Sequence, residues 1–178
     1  LWFKMSDYGG VLLGQENAAE THWTPILYVG SDGLLRGTFW SATGATPITT
    51  PSPIALNTWH HVLLSTVGGS TPSQTLYVDG ALIGTKADAV DLQDMVRVQV
   101  GTGKALGWPN SGCSGWCGIT GNIGRVAFYD HAPDATRVGA HYQAGLATLT
   151  GTTTTTFTAP PAIVTGTLPV APASTPAS

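Results

Sequence analysis

The chain has 178 residues, enough for one domain of ordinary size with a segment left over. Charged residues are only 10% of it, seven Lys+Arg against ten Asp+Glu, for a formal net charge of −3. That sparse, slightly acidic surface argues against nucleic-acid binding, and no apolar run approaches the ~20 residues of a membrane span.

The remaining composition describes a β-rich fold. Hydrophobic residues reach 42%, and 23 Gly with 12 Pro suit many short strands joined by turns. The chain opens at Leu1 without Met or a signal-peptide pattern, so it is expected to be a processed product or an excised fragment.

In chain order, Tyr28–Leu35 is predicted to be a hairpin turning at Asp32-Gly33. Trp59–Thr66 is a strand rich in branched and aromatic residues. Leu76–Ile83 repeats the hairpin device, with Asp79-Gly80 in a tight turn. Val96–Val100 alternates, which predicts valines facing a core and Arg97 and Gln99 facing out. Ile123–Tyr129 is a further strand. One helix follows, capped by Asp134, carrying Val138 and Tyr142 on one face and ending near Gly145. The fold class is therefore all-β: an antiparallel β-sandwich or jelly roll, residues 1–149, with one short C-terminal helix.

Residues 150–178 form a Thr/Pro-rich tail without a charged side chain. It reads as a linker or stalk. The β-branched stretch Thr148–Thr158 could instead add a strand.

Three segments together resemble the laminin-G-like, concanavalin-A-like jelly-roll family. The first is Leu1-Trp2-Phe3-Lys4-Met5, followed by Gly10-Val11-Leu12-Leu13-Gly14. The second, and most specific, is Trp59-His60-His61-Val62 followed by Thr75-Leu76-Tyr77-Val78-Asp79-Gly80. The third runs from Gly121 to Tyr129, then His141-Tyr142. Trp23–Gly30 and Leu34–Trp40 further resemble such modules in large secreted or surface proteins of actinobacteria. The likeness covers nearly all of Leu1–Leu146 and implies a module exposed outside the cell. The family's usual strand before this opening one has no counterpart here, and the uncharged threonine stretch is expected to fill its place. The family's closing strand commonly has an acidic residue where this chain has Gly124, and some members bind calcium with carboxylates near this rim. Asp88, Asp91 and Asp94 are the loop acids best suited to serve a Ca2+ ion instead.

Catalytic patterns are weak. Glutamate occurs only as Glu16 and Glu20, in a stretch that reads as a loop rather than as opposed carboxylates on a strand. Gly112–Trp116 fails the nucleophile-elbow pattern at Trp116, and Gly101–Lys104 lacks phosphate-loop spacing. His60 and His61 are adjacent on a strand and point to opposite faces, so they cannot chelate one ion together. The expectation is that one packs beside Trp59 while the other is solvated. Cys113 and Cys117 lie close together in a Gly/Ser loop, as a small disulfide or as a metal or redox pair.

Six tryptophans are more informative. Trp59 is expected in the core, as is Phe128. Trp108, Asn110 and Trp116 lie in loops that bury little, so the two indoles can form a platform for a sugar ring or fold back to cap the sandwich. Trp23 and Trp40 flank the first hairpin and can join that surface or the core. The reading is a non-catalytic recognition module of a secreted or cell-surface protein. It would bind carbohydrate or an extracellular protein, with an assembly role and self-association through the tail as the alternative.

Overall fold

The computed structural model describes residues 1–91 and 94–149. Two antiparallel five-stranded sheets stack face to face. Sheet one contains β1 (Trp2–Met5), β6 (His60–Val67), β7 (Ser73–Val78), β8 (Ala81–Lys86) and β10 (Gly121–Gly124), in the order β10-β1-β6-β7-β8. Sheet two contains β2 (Gly10–Asn17), β3 (Trp23–Val29), β4 (Leu35–Gly37), β5 (Ile48–Thr49) and β9 (Met95–Val100), in the order β5-β4-β3-β2-β9. Among the described residues one helix, α1 (Ala135–Leu149), follows β10. No helix among the described residues is long and apolar enough to cross a membrane.

Alternation along β1 and β7, together with register shifts between β2 and β3 at Val11/Leu13 and Leu13/Gln15, fills the space between the sheets. Phe3 and Met5 from β1, Leu12 and Leu13 from β2, Ile26 and Leu27 from β3, and Val62, Leu76 and Val78 from sheet one make the main core. A second cluster contains Val11, Tyr28, Ala105, Trp108 and Cys117. It takes the opposite side chains of β2 and β3 and covers them with the long loop between β9 and β10. Both faces of sheet two are therefore buried, which explains why β3 reads as nearly continuous burial from Thr24 to Val29.

The β7–β8 turn forms as the sequence implies: Asp79 and Gly80 both have positive φ, at 52° and 78°. The first hairpin uses a longer loop, Gly30–Leu34, closed by Gly30 N donating to Leu34 O at 2.9 Å. Asp134 caps α1 by accepting from Arg137 N at 2.8 Å. The helix does not stop at Gly145 but continues to Leu149. Gly145 is instead a contact point, because the Trp2 indole lies where its Cβ would stand.

Several expectations are corrected. The valines of β9 do face the inter-sheet space, since Val100 pairs with the core residue Leu13 and Val98 with Gln15. They are nevertheless 48–68% exposed. β9 is the edge of sheet two, and the facing edge of sheet one, β10, is too short to cover it. The closing strand ends at Gly124 rather than Tyr129: its ladder with β1 finishes at the Gly124–Trp2 pair, and Arg125 turns the chain away at φ 52°. Phe128 is consequently 68% exposed, not core. Trp59 is half-buried, with the Lys4 ammonium 5.6 Å from its ring. Neither His60 nor His61 is solvated; both are buried, His60 near Phe3 and His61 against Trp2 and Tyr142. The tail strand proposed for Thr148–Thr158 lies, beyond Leu149, outside the described residues.

Candidate functional site

The loop between β9 and β10 is locked to sheet two at several points. Val11 N donates to Cys117 O at 3.2 Å, and Cys117 N donates to Gly103 O at 2.8 Å. Lys104 and Trp116 form an isolated antiparallel bridge. Cys113 and Cys117 are joined in a disulfide with Cα atoms 6.0 Å apart, the first of the two readings their spacing allowed. A loop so anchored can hold an indole in one place without a strand of its own.

That indole is Trp116, which is 51% exposed. The Lys104 ammonium sits 5.3 Å from its ring centroid and 5.6 Å from that of half-buried Trp23. Trp23 is fixed in turn by its Nε1, which donates to Leu106 O at 3.3 Å. Lys104 also binds Glu20 at 2.9 Å and lies 3.7 Å from Glu16. Arg97 lies 3.5 Å from Glu16 and 3.3 Å from Glu20. The Glu20 carboxyl is held below its ordinary range, first by its hydrogen bond with Lys104. Both glutamates of the chain and two of its seven Lys and Arg thus meet beside two tryptophans. The result is a patch with aromatic ring faces, exposed Leu106 and a charged rim.

The other predicted site residues are placed elsewhere. Trp108 is 6% exposed, edge-on to Tyr28 and Trp40, so it caps the sandwich and presents no platform. Trp40 is half-buried on the same cluster. Asn110 is exposed but structural: its Nδ2 donates to Asp32 at 2.7 Å and its carbonyl accepts from Ser31 N at 2.8 Å. The structure therefore brings Trp23 and Trp116 together and leaves Trp108, Trp40 and Asn110 outside the patch. Lys104 is the member sequence reasoning missed. In the sequence it is only the end of the Gly101–Lys104 turn, and no periodic signal sets it beside either tryptophan.

The donors for calcium do not fit that ion. Asp88 is buried and already bonded to Ser41, to Thr43 at 2.6 Å and to Lys86 at 3.0 Å. Asp94 lies 3.4 Å from both His22 and Asn17 Nδ2. Asp91 bonds through its backbone to Trp40 O. Among the described residues no three His, Cys, Asp or Glu side chains gather where they could hold a metal ion.

Comparison with known proteins adds the family. No curated protein sequence matches the chain. Among solved structures, it is similar to a native heptameric SAP-like pentraxin from Limulus polyphemus. Identity there is 19% and the TM-score 0.49, over 78% of this chain and 65% of that one. It is also similar to an S-layer domain-containing protein from Clostridium thermocellum, at 22% identity and a TM-score of 0.41, over 65% of this chain and 54% of that one. The chain spans less than two thirds of the length of either. A family model of laminin G type, described as the concanavalin A-like lectin/glucanases superfamily, matches residues 1–139. With that match running from the opening strand into α1, the chain belongs to the laminin-G-type domains of the concanavalin A-like lectin/glucanases superfamily.

Proposed function

We propose that this domain is a non-catalytic recognition module of a secreted or cell-surface protein, and that it binds carbohydrate at the Trp23–Lys104–Trp116 patch. The observation that carries the reading is the half-exposed Trp116 indole, held by a disulfide-closed loop and a lysine rather than by burial. An indole face suits the C–H face of a sugar ring, while Glu20 and Arg97 at the rim offer an acceptor and a donor to hydroxyls. The same two glutamates argue against glycan cleavage: both are tied to the same Lys104 and Arg97, and Glu16 is buried, which leaves no pair of carboxylates open to a bound sugar. The disulfide fits an oxidising, extracellular setting.

A glycan-array screen with and without calcium, using wild type beside Trp116→Ala and Lys104→Ala, tests this. Binding to a glycan class that Trp116→Ala abolishes and calcium chelation leaves intact is the expected result. Binding unchanged in both variants moves the site elsewhere.

The half-exposed valines of edge strand β9 favour a second reading, a role in assembly with a neighbouring sheet. Absence of any glycan binding together with concentration-dependent association would support it.

A further inference from the structure

One charged residue of the Trp23–Lys104–Trp116 patch holds a backbone conformation that its side chain disfavours. Glu20, in the turn between β2 and β3, has φ 58°. A glycine would sit there without strain, whereas a glutamate gives up some stability to stay in the left-handed region. Buried Asn17 fixes the turn from inside. Its Oδ1 accepts from Thr21 N at 2.9 Å and from His22 N at 3.1 Å, and its carbonyl accepts from Glu20 N at 3.2 Å. Strain kept at a residue whose side chain fills no core points to a use for that side chain.

The turn sets the Glu20 carboxylate between two cations. Oε2 accepts from Lys104 Nζ at 2.9 Å, and Oε1 lies 3.3 Å from Arg97 Nη1. Lys104 is largely buried and flanked by both indoles. Arg97 is more open: its two ion pairs here both run through Nη1, and its side chain is half-exposed, as is that of Glu20. Solvent therefore meets a carboxylate and a guanidinium edge side by side, close to the separation of neighbouring hydroxyls on a sugar ring. Glu16 is buried against the same two cations, so two negative and two positive charges balance. Lys104 Nζ also lies 5.3 Å from the Trp116 ring centroid, which puts rim and indole within the span of a disaccharide.

Resting on the carbohydrate reading above, we propose that the patch selects neutral sugars with adjacent hydroxyls, and that the Glu20–Arg97 pair sets this selectivity. One hydroxyl donates to the Glu20 carboxylate and its neighbour accepts from Arg97, while the C–H face of the ring lies on Trp116. Bonds to ionised partners are about twice as strong as neutral ones, so both hydroxyls are well held. The balanced charges disfavour ionic sugars of either sign. A uronic acid paired with Arg97 sets its carboxylate beside Glu20, and an amino sugar paired with Glu20 sets its ammonium beside Arg97 and Lys104. Asn17 is the positioning residue that holds the Glu20 turn.

Binding of the full chain to immobilised dextran, laminarin, galactomannan, polygalacturonate and chitosan tests the assignment, with Glu20→Gln, Glu20→Gly and Trp116→Ala beside wild type. The wild type is expected to hold at least one of the neutral glycans and neither charged one. All the variants lose that binding by about tenfold or more, and Glu20→Gln, left with a net positive rim, gains retention on polygalacturonate. Glu20→Gly relieves the strained φ and melts within a few degrees of wild type, which separates lost recognition from lost folding. Neutral binding that falls in Trp116→Ala but stays intact in both Glu20 variants overturns the proposal and keeps the carbohydrate reading. Wild-type binding to polygalacturonate or chitosan that Trp116→Ala removes does the same. Binding indifferent to Trp116→Ala, or absent from every glycan, overturns both.

Discussion

The side-chain amide of Gln74 on β7 forms a two-way bond with the backbone of Phe39 across the sandwich. Its Oε1 accepts from Phe39 N at 2.7 Å, and its Nε2 donates to Phe39 O at 3.2 Å. Gln74 is fully buried, and Thr38 Oγ1 lies 3.1 Å from the same Oε1. A polar residue at an inward strand position is thus what closes the end of β4 against sheet one. Gln74→Leu keeps most of the volume but strands the Phe39 N–H, while Phe39 O still accepts from Thr38 Oγ1 at 2.7 Å. It is expected to destabilise the domain by about 1–3 kcal/mol in urea unfolding, with an unchanged m-value. A loss below about 0.5 kcal/mol would mean that the Phe39 N–H finds another partner.

Asp32 does comparable work at the other end. Its carboxylate accepts from Arg36 at 2.6 and 2.8 Å, from Leu34 N at 3.1 Å and from Asn110 at 2.7 Å. The Arg36 guanidinium is buried and lies 5.8 Å from the Tyr28 ring. The hydrogen bond from Arg36, then those from Leu34 and Asn110, hold the Asp32 carboxyl well below the usual carboxylate range despite partial burial. A carboxyl so depressed stabilises the fold fully above its unfolded pKa, and the contribution fades as pH falls below about 4 toward the folded value. Asp32→Asn is expected to lose about 2 kcal/mol at pH 7, between the values for exposed and buried pairs. Its stability should also vary less than wild type below pH 4. An acid-unfolding profile parallel to wild type would contradict the assignment.

The two adjacent histidines should respond to pH with opposite signs. His60 bonds Asp79 through Nδ1 at 2.7 Å and Ala55 O through Nε2 at 3.0 Å, and the Asp79 bond raises its pKa above the ordinary value. Its stabilisation is therefore complete below the unfolded pKa near 6.5 and is lost as pH rises through the folded one. His61 faces the Leu1 amine, His141 and Asp79, and burial first, then the two cationic neighbours, lowers it to about 4. Its neutral form is favoured, so stability declines as pH falls from 6.5 to 4, by up to about 3 kcal/mol. His61→Gln should flatten the acid side of the profile, whereas His60→Gln should flatten the side just above pH 6.5. NMR titration of the two imidazoles checks the assignment directly, and a His61 midpoint above 6 would reverse it.

How much of this was legible in the sequence divides by the range of the interaction. The Asp79-Gly80 turn, the Asp134 cap and the Trp59–Asp79 signature depend on neighbours in the chain, and they form as written. The register of Val96–Val100 was legible too, but its exposure was not, because alternation tells which face a side chain takes and not what stands opposite. Phe128 misled for the same reason: its strand pattern is sound, yet the partner ladder ends at Trp2. At the site, Trp116 and Trp23 lie far apart in sequence and meet only through Lys104, a contact with no periodic signature. Glycine and serine around Trp108 resembled an exposed loop, but that loop folds onto β2 and β3 and buries the indole.

Glycines 139 and 145 make the last prediction, because one helix holds both and the expected signs differ. In an isolated helix either change to alanine removes backbone entropy from the unfolded chain and stabilises by about 0.5–1 kcal/mol. Around Gly139 nothing lies within 4 Å of the point a Cβ would occupy, so Gly139→Ala should show that gain. At Gly145 the new methyl would overlap the Trp2 indole. That ring cannot retreat easily, being buried, stacked 5.7 Å from Tyr142 at 13° and next to His61. Overpacking of this kind costs about 1–3 kcal/mol, which outweighs the propensity gain. Gly145→Ala should therefore lower stability and speed amide exchange along α1, while Gly139→Ala slows it. If both substitutions stabilise, α1 does not rest on Trp2 through Gly145.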